Sequence, residues 1–281
     1  MPEEAFAAAH ERLADVLPGR GSVNECFVAW RESQQVPPEK VGEALETLAR
    51  ELRERTDALF GLPDRDHVEF VLETGKPWGG NCDYLGNGRT RISISVDLPI
   101  PSYRLLELVT HEVYPGHHTD HVSKEPRIAQ GRLELAVALF TTPRSVVAEG
   151  IAMLAHEALF GEEADRVGAE ILQPLGISYD AETAAVVRAM QETLASVGPN
   201  LVQMIAEGTT TREDARLYAR RWLIGPDALI DRSVALLDGA WPAYALCYPA
   251  GLALARSFVD GDPARLRRLL HEQLTPEDLA A

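Results

Sequence analysis

The sequence predicts a mainly α-helical protein with one small β element placed directly ahead of a histidine-bearing helix. Three observations carry that expectation. Apolar residues recur every three or four positions through most of the chain, the spacing of one helix face. Two short stretches alternate in the manner of strands, and both lie between residues 67 and 97. Just after them, four of the eight histidines fall within eleven positions, from His111 to His121.

In chain order, residues 3–17 read as a helix ended by Pro18-Gly19, and a short helix follows the polar loop around Gly21-Ser22. After the break at Val36-Pro37-Pro38, segment 39–59 sets Val41, Ala44, Leu45, Leu48, Leu52 and Leu59 on one side and stops at Gly61. Residues 1–62 thus form an N-terminal helical segment without a catalytic constellation, joined to a catalytic region over 63–281 in one compact unit. Residues 67–73 suit a strand, and the Gly-, Asn- and Pro-containing stretch 75–88 suits a loop. Residues 91–97 alternate cleanly, with Ile92, Ile94 and Val96 facing one way. Pro99 and Pro101 then lead into the histidine helix.

In that helix Leu105, Leu106, Val109 and Val113 recur at helical spacing. His111-Glu112 followed by His117-His118 has the form of His-Glu-x-x-His lengthened by two residues. In that motif two imidazoles bind zinc and the glutamate activates a metal-bound water. On an unbroken helix, at about 100° per residue, His117 would lie roughly 120° around from His111. His118 would face the same way as His111 but about 10.5 Å along the axis. Pro115, however, has no N–H for the His111 carbonyl, and its ring collides with that carbonyl. With Gly116 behind it, a bulge or kink is expected. Looping out two residues brings His117 to the place of the second ligand. His118 is the next choice and His121 the third.

Pro143 opens a helix carrying Val146, Val147, Ile151, Leu154, Ala155 and Leu159, with Glu149 inside its apolar pattern. A carboxylate there must be paired or bound to metal to offset its desolvation. Glu149, 38 residues after His111, is therefore the third candidate ligand. The alternative is a half-exposed glutamate in an ion pair. Helices are expected at 162–175, 180–207, 212–223 and 226–238, punctuated by Gly176, Gly208, Gly225 and Gly239 without a fixed repeat.

His-Glu-Val-Tyr-Pro-Gly-His-His resembles the signature of a large bacterial family of zincin-like metallopeptidases carried under a domain-of-unknown-function label. It is similar in logic to the gluzincins, whose dipeptidyl peptidase III also has a lengthened His-Glu motif. Glu149-Gly-Ile-Ala-Met-Leu resembles that family's Glu-Gly-Trp-Ala-x-Tyr, with Ile151 and Leu154 at its aromatic positions. Pro242-Ala-Tyr-Ala-Leu-Cys-Tyr-Pro-Ala-Gly251 resembles its Pro-Gly-x-Ala-x-x-Tyr-x-x-Gly, with Tyr244 at a position that is polar in the family. The resemblance implies a zincin-like helical metalloprotease domain binding Zn²⁺ through His111, His117 (or His118) and Glu149. It implies Glu112 as the base and Tyr248 as donor to a developing oxyanion. By analogy with zincins, the strand at 91–97 would line the cleft and pair with a peptide substrate along its edge. Family members are much longer, with an extensive helical region ahead of the motif. A metal-binding interaction module without catalysis is the alternative.

With 43 acidic and 27 basic residues the formal charge is −16, which opposes nucleic acid or an anionic membrane as a general partner. The expected partner is a peptide or related amide. Cys26, Cys82 and Cys247 are odd in number and far apart, as suits a reducing cytoplasm rather than a disulfide framework. No run approaches the roughly 18 apolar residues of a membrane span.

Overall fold

The computed structural model describes residues 1–281 except 77, 134–136, 138, 141, 236 and 238–240, together with the side chains of 129, 241 and 243. Helices account for 67% of the chain and one three-stranded sheet for the β structure, so the mainly α expectation stands. No helix among the described residues is long and apolar enough to cross a membrane.

Helices α1 (Glu3–Val16), α2 (Val23–Ser33) and α3 (Val41–Phe60) precede strands β1 (His67–Glu73), β2 (Gly80–Gly86) and β3 (Arg89–Ser95). Then come α4 (Ser102–Glu112), α5 (His117–Ala129), α6 (Pro143–Phe160) and α7 (Ala164–Leu172). The chain continues through α8 (Ala181–Leu194), α9 (Val197–Ala206), α10 (Arg212–Trp222) and α11 (Asp227–Ala235). It ends in α12 (Trp241–Ala245), α13 (Cys247–Val259), α14 (Pro263–His271) and α15 (Pro276–Ala280). The expected helix over 180–207 is two helices, divided at Ala195-Ser196. The expected helix over 226–238 is seen as α11, and its last residue, like Gly239, lies outside the described residues.

Stretch 75–88, expected to be a loop, contains β2. Its glycines and asparagine hid the strand, because they belong to its ends: Asn87 (φ 54°) and Gly88 (φ 69°) make the tight turn into β3. Both adopt the left-handed backbone that such residues tolerate. The sheet order is β1-β3-β2, with β1 parallel and β2 antiparallel to β3. The central position of β3 corrects the expected substrate edge. Both sides of the strand ahead of the histidine helix are already paired, and β2 is the strand that packs against α4 and α5.

Three apolar cores hold these elements. Phe6, Leu13, Phe27 and Trp30 from α1 and α2 pack with Val187, Leu194, Leu201 and Trp222 of α8 to α10. Val41, Leu45, Leu48 and Leu52 of α3 pack with Ile92 and Ile94 of β3 and with Leu105, Leu106 and Val109 of α4. Val147, Ile151 and Leu154 of α6 pack with Leu252, Ala255 and Val259 of α13 and with Leu266, Leu269 and Leu270 of α14. All three cores combine residues from 1–62 with residues from beyond it, the third through Phe60. Leu59 departs from its expected face and is 52% exposed, while Phe60 turns inward at the helix end.

Charged links cross between cores. Glu107 of α4 meets Arg104 at 2.5 Å and Arg188 of α8 at 3.7 Å, and Arg188 meets Asp165 of α7 at 2.5 Å. Burial alone would raise the Glu107 carboxyl, but the Arg104 and Arg188 charges outweigh it and hold it at about 2, against an ordinary 4.5. A folded-state value below the unfolded one gives stability that is present above 4.5 and lost as pH falls towards 2. The thermal midpoint is therefore expected to fall through that window, and to fall less steeply in Glu107→Gln, as calorimetry across the acid range would show.

Candidate metal centre

The centre is built where α4, α5 and α6 meet, with α13 packed along α6. Helix α4 ends at Glu112, and the chain turns through Val113, Tyr114, Pro115 and Gly116 before α5 begins at His117. The interruption is larger than a bulge: two helices replace one, with a cis Tyr114–Pro115 bond between them. Gly116 has no substitute there. A Cβ on it would lie 1.8 Å from the His111 carbonyl oxygen and 2.4 Å from that of Thr110.

The turn sets His117 beside His111, ring centroids 4.8 Å apart and nearly perpendicular. Glu149 of α6 faces both, with His111 Nε2 at 3.5 Å from Oε2 and His117 Nε2 at 3.6 Å from Oε1. The three ligand atoms all lie within 4.8 Å of one another. Among the described residues this is the group of three His, Cys, Asp or Glu side chains able to hold a metal ion. Glu149 is only 3% exposed, and its Oε2 has no hydrogen-bond partner. An orphaned buried carboxylate oxygen is costly. Burial, reinforced by the neighbouring His117, holds His111 well below the ordinary imidazole range, which leaves a neutral ring with a lone pair to offer.

His118 is not brought into this cluster. It is fully buried on another side of α5, with Nδ1 2.6 Å from Thr90 Oγ1 and Nε2 facing Asp66. Adjacent residues on a helix point about 100° apart, so only one of the pair can face α6. His121 is also elsewhere, stacked on Tyr84 of β2 with centroids 4.9 Å apart.

Glu112, 6% exposed, faces β2, where a Cβ on Gly80 would come within 2.6 Å of its Oε1. Burial pushes its carboxyl up to about 7, with His117 pulling down and Glu149 pushing up by lesser amounts. Tyr248 stacks on His111 at 6.2 Å between centroids. The sequence left Tyr244 without a role; its hydroxyl donates to Glu149 Oε1 at 2.5 Å. Burial and the Glu149 charge hold both phenols well above the ordinary tyrosine range, so each is a protonated donor. Arg256 is occupied by Glu157 and Glu192, at 2.8 and 2.7 Å.

A pair of glycines brings the two supporting helices together. A Cβ on Gly150 would lie 2.4 Å from the Gly251 carbonyl oxygen, and one on Gly251 would lie 2.2 Å from that of Val146. Helices α6 and α13 thus touch backbone to backbone. Each glycine stands close in sequence to a site residue, Gly150 beside Glu149 and Gly251 three after Tyr248. Gly251→Ala is expected to cost about 3 kcal/mol or more by forcing the helices apart. Chemical denaturation would measure that loss.

No family model and no curated protein matches the chain. A solved structure among those that match shares this fold. It is that of the "putative lipoprotein from Colwellia psychrerythraea", with a TM-score of 0.70 and 19% identity, over 98% of this chain and 48% of that one. The chain thus spans about half the length of that neighbour, and the likeness is one of fold.

Proposed function

We propose that the chain is a zinc-dependent metallopeptidase of the zincin-like, gluzincin-related kind, acting on peptide or related amide bonds in the cytoplasm. The observation that carries the reading is the convergence of His111, His117 and Glu149, whose buried Oε2 lacks any other partner. Two imidazole nitrogens and one carboxylate form the ligand set of catalytic rather than structural zinc, which takes four protein ligands. Zn²⁺ held there would supply a Lewis acid that acidifies water and polarises a carbonyl. Glu112 takes a proton from the attacking water and delivers it to the leaving amine. Tyr248 donates to the oxyanion that develops on the substrate. Tyr244 fixes the carboxylate of Glu149, as outer partners of metal ligands do. The three free cysteines accord with a reducing compartment.

The test is elemental analysis of the purified protein, followed by mass-spectrometric profiling of a peptide library with and without chelator. The expected result is about one zinc per chain and cleavage that chelator stops. Absence of zinc would overturn the reading. The alternative reading is a metal-binding interaction module without catalysis. Its signature is zinc bound without cleavage of any library peptide.

A further inference from the structure

Asp66 lies just ahead of β1 with its side chain fully buried, and it gathers groups from α3, from α5 and from the turn that leads into α5. Arg53 of α3 forks onto it, with Nη2 2.5 Å and Nε 3.0 Å from Oδ1. The Tyr114 hydroxyl donates to Oδ2, and His118 Nε2 approaches the same oxygen at 3.6 Å. The far side of that imidazole is closed by Thr90 of β3, and its ring stands perpendicular to that of Tyr114, with centroids 5.1 Å apart.

Tyr114 and His118 bracket the turn between α4 and α5, and His117 lies inside that bracket. Both therefore tie the turn to one carboxylate in the loop that joins α3 to β1. No side-chain cap holds the first turn of α5; its local restraint is Thr119, whose N–H and hydroxyl both donate to the Val113 carbonyl. Rotating the start of α5 about its axis would unseat His118 and swing His117 away from Glu149 together, because the two are adjacent on one helical turn.

We infer that Asp66 is a positioning residue for the metal centre: by seating Tyr114 and His118 it sets the rotation of α5 that aims His117 at Glu149 and His111. The inference rests on the metal reading above. A carboxylate that served only to join α3 to the sheet would affect stability and leave the affinity of the folded protein for zinc unchanged.

The experiment compares zinc affinity, by competition with a chromophoric chelator, in the wild type, Asp66→Asn, Tyr114→Phe and Thr90→Val. Circular dichroism and melting establish that each variant is folded, and the visible spectrum of the cobalt-loaded protein reports ligand geometry. The expected result is zinc binding weakened about tenfold or more in the folded variants, with an altered cobalt spectrum. Tyr114→Phe removes a single oxygen and keeps the ring, so it decides the matter if Asp66→Asn does not fold. Wild-type affinity and an unchanged cobalt spectrum in Tyr114→Phe and Thr90→Val would overturn the inference while leaving the metal centre in place. Failure of the unmodified protein to bind zinc would overturn both, and the two failures are distinguished by the protein in which they appear.

Discussion

Glu112→Gln is expected to remove hydrolysis while leaving zinc bound. Glu112 follows His111 directly, so its side chain leaves α4 about 100° away from that of His111. It is 6% exposed and faces β2 at Gly80, the position where a Cβ would stand 2.6 Å from its carboxylate oxygen. It is not one of the three residues whose ligand atoms converge. Glutamine preserves the shape and can still hydrogen-bond, but it accepts no proton from water. General-base catalysis contributes about 10²- to 10⁴-fold, and a loss in that range is expected in kcat on a peptide identified by library profiling. Zinc content measured on the same sample should stay at the wild-type value. A variant retaining activity within tenfold of wild type would rule out Glu112 as the base.

The parts of this arrangement that depend on short-range chemistry could be read from the residues. His111, His117 and Glu149 were singled out by type and spacing, and the turn at Pro115-Gly116 by the proline's missing N–H and the glycine's missing side chain. Both strands with alternating side chains were legible. The third was hidden because β2 contributes glycine and asparagine at its margins, and because its pairing with β3 lies in the partner's sequence as much as in its own. Choosing between His117 and His118 required knowing what else competes for an imidazole. Asp66 and Thr90 supply that competition from 52 and 28 residues away along the chain, and no local pattern announces either. Tyr244 was obscured for the same reason, since its role is to hold a carboxylate 95 positions earlier. Gly150 and Gly251 stood inside recognisable motifs, but only the crossing of α6 over α13 gives them a physical reason to be glycine. Leu59 fitted the apolar periodicity of α3 and is nevertheless exposed, because a helix end can outrun the core it packs on.

Zinc is expected to raise the thermal midpoint of the protein substantially, and the ligand variants separate a metal centre from an ion-pair cluster. A ligand that binds only the folded state, at a free concentration of about 1,000 times its Kd, adds about 4 kcal/mol. In a chain of this size that is a rise on the order of 10 °C in Tm. His117→Ala should abolish the rise, and His121→Ala should retain it, because His121 stacks on Tyr84 rather than joining the ligands. Glu149→Gln gives the sharper contrast. If Glu149 served to hold the fold together through its two histidines, removing its charge would lower the midpoint of the metal-free protein. A buried carboxylate whose Oε2 has no hydrogen-bond partner is instead a cost carried by the metal-free state. Metal-free Glu149→Gln is therefore expected to melt no lower than metal-free wild type, and to show no response to zinc. Differential scanning calorimetry with and without zinc checks both halves. A lowered metal-free midpoint with an intact zinc response would assign Glu149 to the scaffold and remove it from the ligand set.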